Sequence, residues 1–224
     1  NHTYPPDDCC QQRMPDPDIS RRSVLGGLGG TALTALAGCV GGGSDEPGNK
    51  VQSLPTPVLG AADASVTMAV FEDFRCSHCK DFSEQIAPGI ISDYVDSGQV
   101  RYEHRDFPVL GEASAQAANA ARAVQDEASN EAFWAFSERL FAEQSAIGVE
   151  LYESAADGVG ATPDTVVSDA MAQTYQPVID ADSQLARDKG VRGTPTVMVE
   201  GALVDPANGF DASIRTALDA ALEA

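Results

Sequence analysis

The chain has 224 residues, 43% of them hydrophobic, enough to bury one full core and still carry appendages. Its 34 acidic against 14 basic side chains leave a formal charge of −20, a surface that repels nucleic acid and anionic lipid rather than binding them. Only Lys50, Lys80 and Lys189 are lysines, and the acids are scattered through apolar, periodic segments instead of being gathered in a tail.

From the N-terminus, residues 1–13 precede Met14, a natural start for a signal of ordinary length, so Cys9 and Cys10 are assigned no function. Arg21-Arg22 followed by Ser23-Val24-Leu25 resembles a twin-arginine export signal. The apolar run behind it is too short and too glycine-rich for a comfortable membrane span. It ends in LAGC (36–39), which resembles a lipoprotein box and implies cleavage before Cys39 and acylation of Cys39. Residues 1–38 are therefore expected to be an extension plus export signal. The mature protein is expected on the outer face of the cytoplasmic membrane, anchored by a lipid on Cys39. Residues 39–57, rich in glycine, proline and polar side chains, are expected to be a flexible tether.

The domain then spans 58–224. SVTMAVFEDF (65–74) reads as a buried strand running into Cys76-Ser77-His78-Cys79. A helix over about 77–97 has Phe82, Ile86, Ile90 and Tyr94 at helical spacing and stops near Gly98. Residues 99–107 alternate Val100, Tyr102, His104 against Arg101, Glu103, Arg105, a period-two strand. Residues 112–189 read as a run of helices, with Phe133, Phe136, Leu140 and Phe141 as one apolar stripe and Thr162-Pro163 as a helix start. A strand at 194–201, a second at 202–204 and a helix carrying Phe210, Ile214 and Leu218 close the chain.

A strand running into C-x-x-C, and much later a Thr-Pro that opens a strand, are the two marks of the thioredoxin fold. The helical block between the second and third strands resembles the DsbA-like branch. FPVLGEASAQAANAARAVQDEASNEAFWAFSERLF (107–141) looks like its Phe-Pro, alanine-rich and Phe-Trp stretch, and GVRGTPTVMVEG (190–201) is similar to its Gly-Val-x-Gly-Thr-Pro-Thr segment. The likeness covers about 55–223 and implies an α/β fold, thioredoxin-like, with a helical insertion over about 112–189. It also implies a thiol–disulfide oxidoreductase acting on protein thiols and disulfides, without a cofactor, served by a membrane or extracytoplasmic redox partner. In its lysine-poor, aspartate- and alanine-rich style the chain further resembles exported haloarchaeal lipoproteins.

The chemistry needs those residues. A disulfide exchanges by thiolate attack, and Cys76 at a helix N-terminus would have free amides and the helix dipole favouring its anion. Cys76 is thus expected to be the nucleophile, Cys79 one turn on the buried resolving thiol, and His78 a tuning group that adds positive charge or a hydrogen bond. The resemblance implies a cis bond before Pro195, leaving the Thr194 backbone free to pair with an extended substrate. Two positions depart from the family. Ser77 stands where a proline commonly follows the first cysteine, and Val70 stands where many members carry a buried acid. Glu72 and Asp73 are nearer in sequence, but strand alternation does not by itself bring either to Cys79, so proton relay to that thiol is left unassigned.

Three alternatives compete. A zinc site needs about four ligands, and beyond the cysteines only His78 and His104 remain in the domain; His104 reads as a satisfied core histidine. Copper held between two thiolates is a closer rival, though metallochaperones space their cysteines more widely and add a distal histidine. A non-catalytic binding module with a locked disulfide is the third, but a bridge closing so short a loop stabilises little. Trp134 and its neighbouring phenylalanines read as core packing.

Removing residues 1–38 takes away four acids (Asp7, Asp8, Asp16, Asp18) and three arginines (Arg13, Arg21, Arg22), so the mature chain keeps 30 acids against 11 bases. At molar salt a short Debye length screens that repulsion. The expected outcome is a melting temperature that falls by about 10 °C or more between molar and millimolar salt. A melting curve that does not move would contradict adaptation to a salt-rich medium.

Overall fold

The computed structural model describes residues 50–224. Arg21, Arg22, Cys39 and the first part of the tether lie outside the described residues. Among the described residues the elements are strands β1 (Val58–Leu59), β2 (Val66–Glu72), β3 (Val100–Asp106), β4 (Thr196–Val199) and β5 (Ala202–Leu203), with seven helices. Helix α1 follows β2 and runs without a break through Ser77–Asp81, Phe82–Ile86, Ala87–Ile90 and Ile91–Val95, the second and fourth pieces being π turns. The insert between β3 and β4 consists of α2 (Glu112–Glu127), α3 (Asn130–Ala142), α4 (Val149–Gly158), α5 (Pro163–Ala172) and α6 (Gln176–Asp188), and α7 (Phe210–Leu222) closes the chain.

The sheet order is β1-β3-β2-β4-β5, with β2 parallel to β3 and antiparallel to β4. Alternation along β2 sends Val66, Met68 and Val70 to one face, where they pack with Phe82 and Ile90 of α1 and Ile214 and Leu218 of α7. Phe71 faces the other way, into a small cluster with Ala186 of α6, Val191 and Met198. The insert has its own core, in which Phe133, Phe136, Leu140 and Phe141 are all buried, joined by Phe74 and both cysteines. Placing the cysteines in that cluster puts the C-x-x-C turn where sheet and insert meet.

That seam is closed by charge. Arg122 of α2, 1% exposed, donates from Nε to Asp106 at 2.6 Å and from Nη2 to Asp182 of α6 at 2.8 Å. Arg105 donates to the other Asp182 oxygen at 2.9 Å, and the Asp106 amide donates to Asp182 at 3.2 Å. His104, also 1% exposed, lies between Glu72 and Asp106, with each ring nitrogen 3.2 Å from a carboxylate oxygen. Phe74 stacks on its ring, with centroids 5.5 Å apart. The ring is thus a core histidine with both nitrogens satisfied.

Several expected boundaries shift. Residues 50–57, expected as tether, lie along the insert: the Val51 amide donates to Thr174 O at 2.9 Å, and Gln125 Nε2 donates to Pro55 O at 2.9 Å. β1 was not expected, because two residues are too few to show a period. It pairs with β3, and its Val58 carbonyl accepts from Asn130 Nδ2 and Trp134 Nε1. Trp134 is therefore a hydrogen-bonded strut as well as packing. Thr162 occupies the N-cap of α5, but its side chain makes no capping bond; its amide donates to Glu127 instead. The strand expected over 194–201 is confined to Thr196–Val199, since the cis Thr194–Pro195 bond precedes it and Glu200 turns out at φ +49°.

Burial alone would lower the pKa of His104, but Asp106 and Glu72 outweigh it and raise it to about 9. Asp106 sits at about 2, because Arg122 and His104 overcome the opposing effect of burial. For His104 the folded pKa lies above the unfolded one, so its stabilisation is complete below about pH 6.5 and lost as pH rises through 9. For Asp106 the folded pKa is depressed, so its stabilisation is present above its ordinary 3.8 and lost as pH falls through 2. Urea unfolding at constant salt is expected to show a plateau between these limits and an alkaline loss on the order of 3 kcal/mol. His104→Gln, less stable at neutral pH, should lack that alkaline loss; an alkaline limb identical to that of the parent would contradict the assignment.

Candidate active site

The site begins where β2 stops. The Asp73 carboxylate accepts three backbone amides, Arg75 N at 2.9 Å, Val109 N at 2.9 Å and Leu110 N at 3.0 Å, which ties the turn after β2 to the loop after β3. Cys76 caps α1 with extended backbone, and its carbonyl accepts from the Cys79 and Lys80 amides at 3.0 and 3.1 Å. Gln144, in the 3-10 turn after α3, donates from Nε2 to both Phe74 O and Cys76 O at 2.9 Å. The turn is therefore held from both sides.

β4 completes the site from the other end of the chain. Its antiparallel register sets Thr196 opposite Phe71, so the residues just before β4 arrive beside the residues just after β2. The Thr194–Pro195 bond is cis, and Thr196 Oγ1 donates to Gly193 O at 2.7 Å within the same bend. The Cys76 thiol donates to Thr194 O at 3.3 Å. Alongside runs a groove of about 370 Å³ lined by His78, Phe82, Ile86, Thr194, Pro195 and Phe210. His78 is exposed at its rim.

Both cysteines are free thiols, but they differ in access. Cys76 is 9% exposed and Cys79 0%. Burial first, and then the Glu72 carboxylate, push the Cys79 thiol far above the ordinary thiol range.

Position 70, where many family members carry a buried acid, is apolar here, and a buried acid stands two residues on. Val70 is wholly buried in apolar contacts, and Glu72 shares its face of β2, 4% exposed. Glu72 Oε2 pairs with His104, while Oε1 has no hydrogen-bond partner. The two acids part ways here: Glu72 keeps to the Val70 face, whereas Asp73 spends its oxygens on backbone amides. Gln144 carried no such signal in the sequence, being 68 residues from the carbonyl it holds. His104 binds carboxylates, His78 lies out on the groove, and among the described residues no three His, Cys, Asp or Glu side chains gather as a metal-holding group.

Residues 52–220 match the family model described as Thioredoxin. The disulfide bond formation protein D of Bacillus subtilis is 29% identical over 175 residues, covering 75% of this chain and 78% of that protein. Among solved structures, oxidised BdbD from Bacillus subtilis superposes with a TM-score of 0.71 at 28% identity, covering 75% of this chain and 94% of that one. A thioredoxin-like oxidoreductase from Silicibacter pomeroyi does so at 0.63 and 29%, over 75% and 93%. The chain belongs to the thioredoxin family, and is a thiol–disulfide oxidoreductase of its DsbA-like branch.

Proposed function

We propose that this protein introduces disulfides into exported polypeptides through Cys76 and Cys79, while anchored outside the cytoplasmic membrane by a lipid on Cys39. The observation that carries the reading is the asymmetry of the pair. Cys76 keeps 9% of its surface exposed and its thiol is bonded to the carbonyl of Thr194, which lines the groove; Cys79 is wholly buried. The naming of the Bacillus relatives for disulfide bond formation supports the direction.

In the oxidised protein a client thiolate attacks Cys76 Sγ, breaking the Cys76–Cys79 bond and forming a client–Cys76 disulfide. Cys79 leaves as a thiolate and takes up a proton. Burial and the Glu72 carboxylate raise the Cys79 pKa, so its thiolate is a poor leaving group unless a proton reaches the sulfur as the bond breaks. A second client thiolate then attacks the client sulfur, forming the client disulfide and releasing Cys76 as a thiolate. The client has lost two electrons and the cysteine pair has gained them, so an oxidising membrane or extracytoplasmic partner must reoxidise it. The client backbone lies against Thr194 and Pro195, its apolar side chains on Phe82, Ile86 and Phe210. His78, at the groove rim, is the tuning group, with the client-facing position to act on the sulfur under attack.

Cys79→Ser is expected to accumulate client adducts on Cys76 that survive non-reducing gels. Cys76→Ser should give none and reduce turnover by at least about 10³-fold, because the thiol beside the groove is gone. A copper carrier gives a different result, with stoichiometric copper lost equally in both variants and no adducts. That pattern would replace this reading. For the anchor, Cys39→Ala should move the protein from the membrane fraction to the medium, and Arg21→Lys with Arg22→Lys should hold it in the cytoplasm. A Cys39→Ala protein that still pellets with membranes would remove the lipid from the account.

A further inference from the structure

Helix α1 starts without the usual brace. An N-cap side chain ordinarily accepts from the first free amides of a helix and keeps its opening turn from fraying. Here the cap position is Cys76 itself, with extended backbone, and no side chain caps α1. A serine, threonine or aspartate at that position would cap the helix and abolish the nucleophile. A cap reaching in from elsewhere would occupy the amides that favour the Cys76 anion. The turn has to be held some other way.

The end of α3 supplies the hold, and it grips carbonyls. The Phe74 ring packs on Phe141, with centroids 5.0 Å apart. Three residues on, half-buried Gln144 donates from Nε2 to Phe74 O and Cys76 O, each at 2.9 Å. Among the described residues it is the only side chain that donates to a carbonyl of the turn 74–76. A primary amide carries two hydrogens on one nitrogen and so serves both carbonyls at once, where a hydroxyl has one and a carboxylate none. Cys76 O also accepts from the Cys79 and Lys80 amides, the bonds that close the first turn of α1. Gln144 therefore holds the same carbonyl through which Cys76 stays one turn from Cys79. Lys80 joins the two elements a turn further along, donating from Nζ to Ala142 O at 2.8 Å.

We infer that Gln144 is a positioning residue for disulfide closure, standing in for the N-cap of α1 from the carbonyl side. The inference rests on the redox role of the Cys76–Cys79 pair. In a mixed disulfide the pair is open, and the first turn of α1 is held by hydrogen bonds alone. Cys79, as thiolate, attacks Cys76 Sγ. The Cys76–Cys79 bond forms, the bond to the outer sulfur breaks, and the departing thiolate takes up the proton that Cys79 gave up. The transition state already ties the two residues into a ring, and so does the product. A hold on the turn therefore raises the share of open molecules that are ready to close, and does little once the ring exists. Removing it slows closing, leaves opening nearly unchanged and shifts the equilibrium toward the open form.

The test times both directions. A Cys76–glutathione mixed disulfide is prepared in each full-length protein, and closing by Cys79 is followed in single turnover. Opening of the oxidised pair by glutathione is followed in parallel. Gln144→Met keeps the length of the side chain and removes both donors. It should slow closing at least about fivefold, as the loss of one or two hydrogen bonds implies, and change opening by less than about twofold. Arg139→Met is the comparison: it deletes the bonds from Arg139 to Glu143 and Ser154 at the same end of α3 and touches no carbonyl of the turn. It should lower the melting temperature while closing stays within about twofold of the parent. Parental closing in Gln144→Met would overturn the inference, as would closing and opening slowed by one factor. So would an Arg139→Met protein that closes as slowly as Gln144→Met, because general loosening of the insert would then suffice. If Gln144→Met does not fold, Gln144→Asn, which keeps the amide but draws it back by one methylene, decides on the same two rates. A parent that forms no mixed disulfide, or never closes one, would instead sink the redox reading itself, before any variant is compared.

Discussion

A guanidinium enclosed between two carboxylates holds this molecule in its working shape. Arg122 comes from the insert, Asp106 from the end of β3, and Asp182 from the last helix before β4, and all three are buried. Burying a charge is costly unless it is paired and hydrogen-bonded, and here every Arg122 nitrogen has a partner: Asp106, Asp182, and for Nη1 both Gln125 and Pro55 O. The arrangement is directional where an apolar seam would not be. It sets the height at which α2 and α6 meet the sheet edge, and with it the depth at which Phe74 and Cys79 lie beneath the insert.

The chain of charge continues from that seam to the active site. Asp106 holds one side of His104 and Glu72 the other, so the cation on the ring is shared between the packing of the insert and the acid whose charge bears on Cys79. Structure and chemistry are coupled here through one imidazole. Phe74 stacks on that ring, and its carbonyl is one of the two that Gln144 holds. Displacing the ring would therefore disturb both the electrostatics at Cys79 and the turn that carries Cys76.

Much of this was legible in the sequence, and the gaps have physical reasons. β2, β3, α1 and the apolar stripe of α3 announce themselves because each is long enough to show its period and faces a core on one side. Cys76, Cys79, Thr194 and Pro195 converge because β2 and β4 are neighbours, a convergence that the resemblance to the thioredoxin fold implied. What the sequence hid was set by distant partners. Residues 50–57 have the composition of a tether, yet their backbone is satisfied by Thr174, Arg122 and Gln125. β1 owes its existence to Asn130 and Trp134, more than 70 residues away. The inward position of His104 followed from alternation, but its charge did not, because one of the two carboxylates that create it stands on another strand.

The two cysteines differ because Cys76 stands at the start of α1, beside the bend before β4, and Cys79 lies one turn on, inside the core of the insert. Cys76 keeps some exposed surface there, its thiol bonded to Thr194 O. A resolving sulfur must be reached by no client, or the mixed disulfide would exchange with bystanders before the pair could close. Burial achieves that, and in doing so raises the thiol's pKa and cuts it off from bulk water. The same burial leaves Glu72, on the Val70 face of β2 and braced by His104, as the charge that weighs most on that thiol.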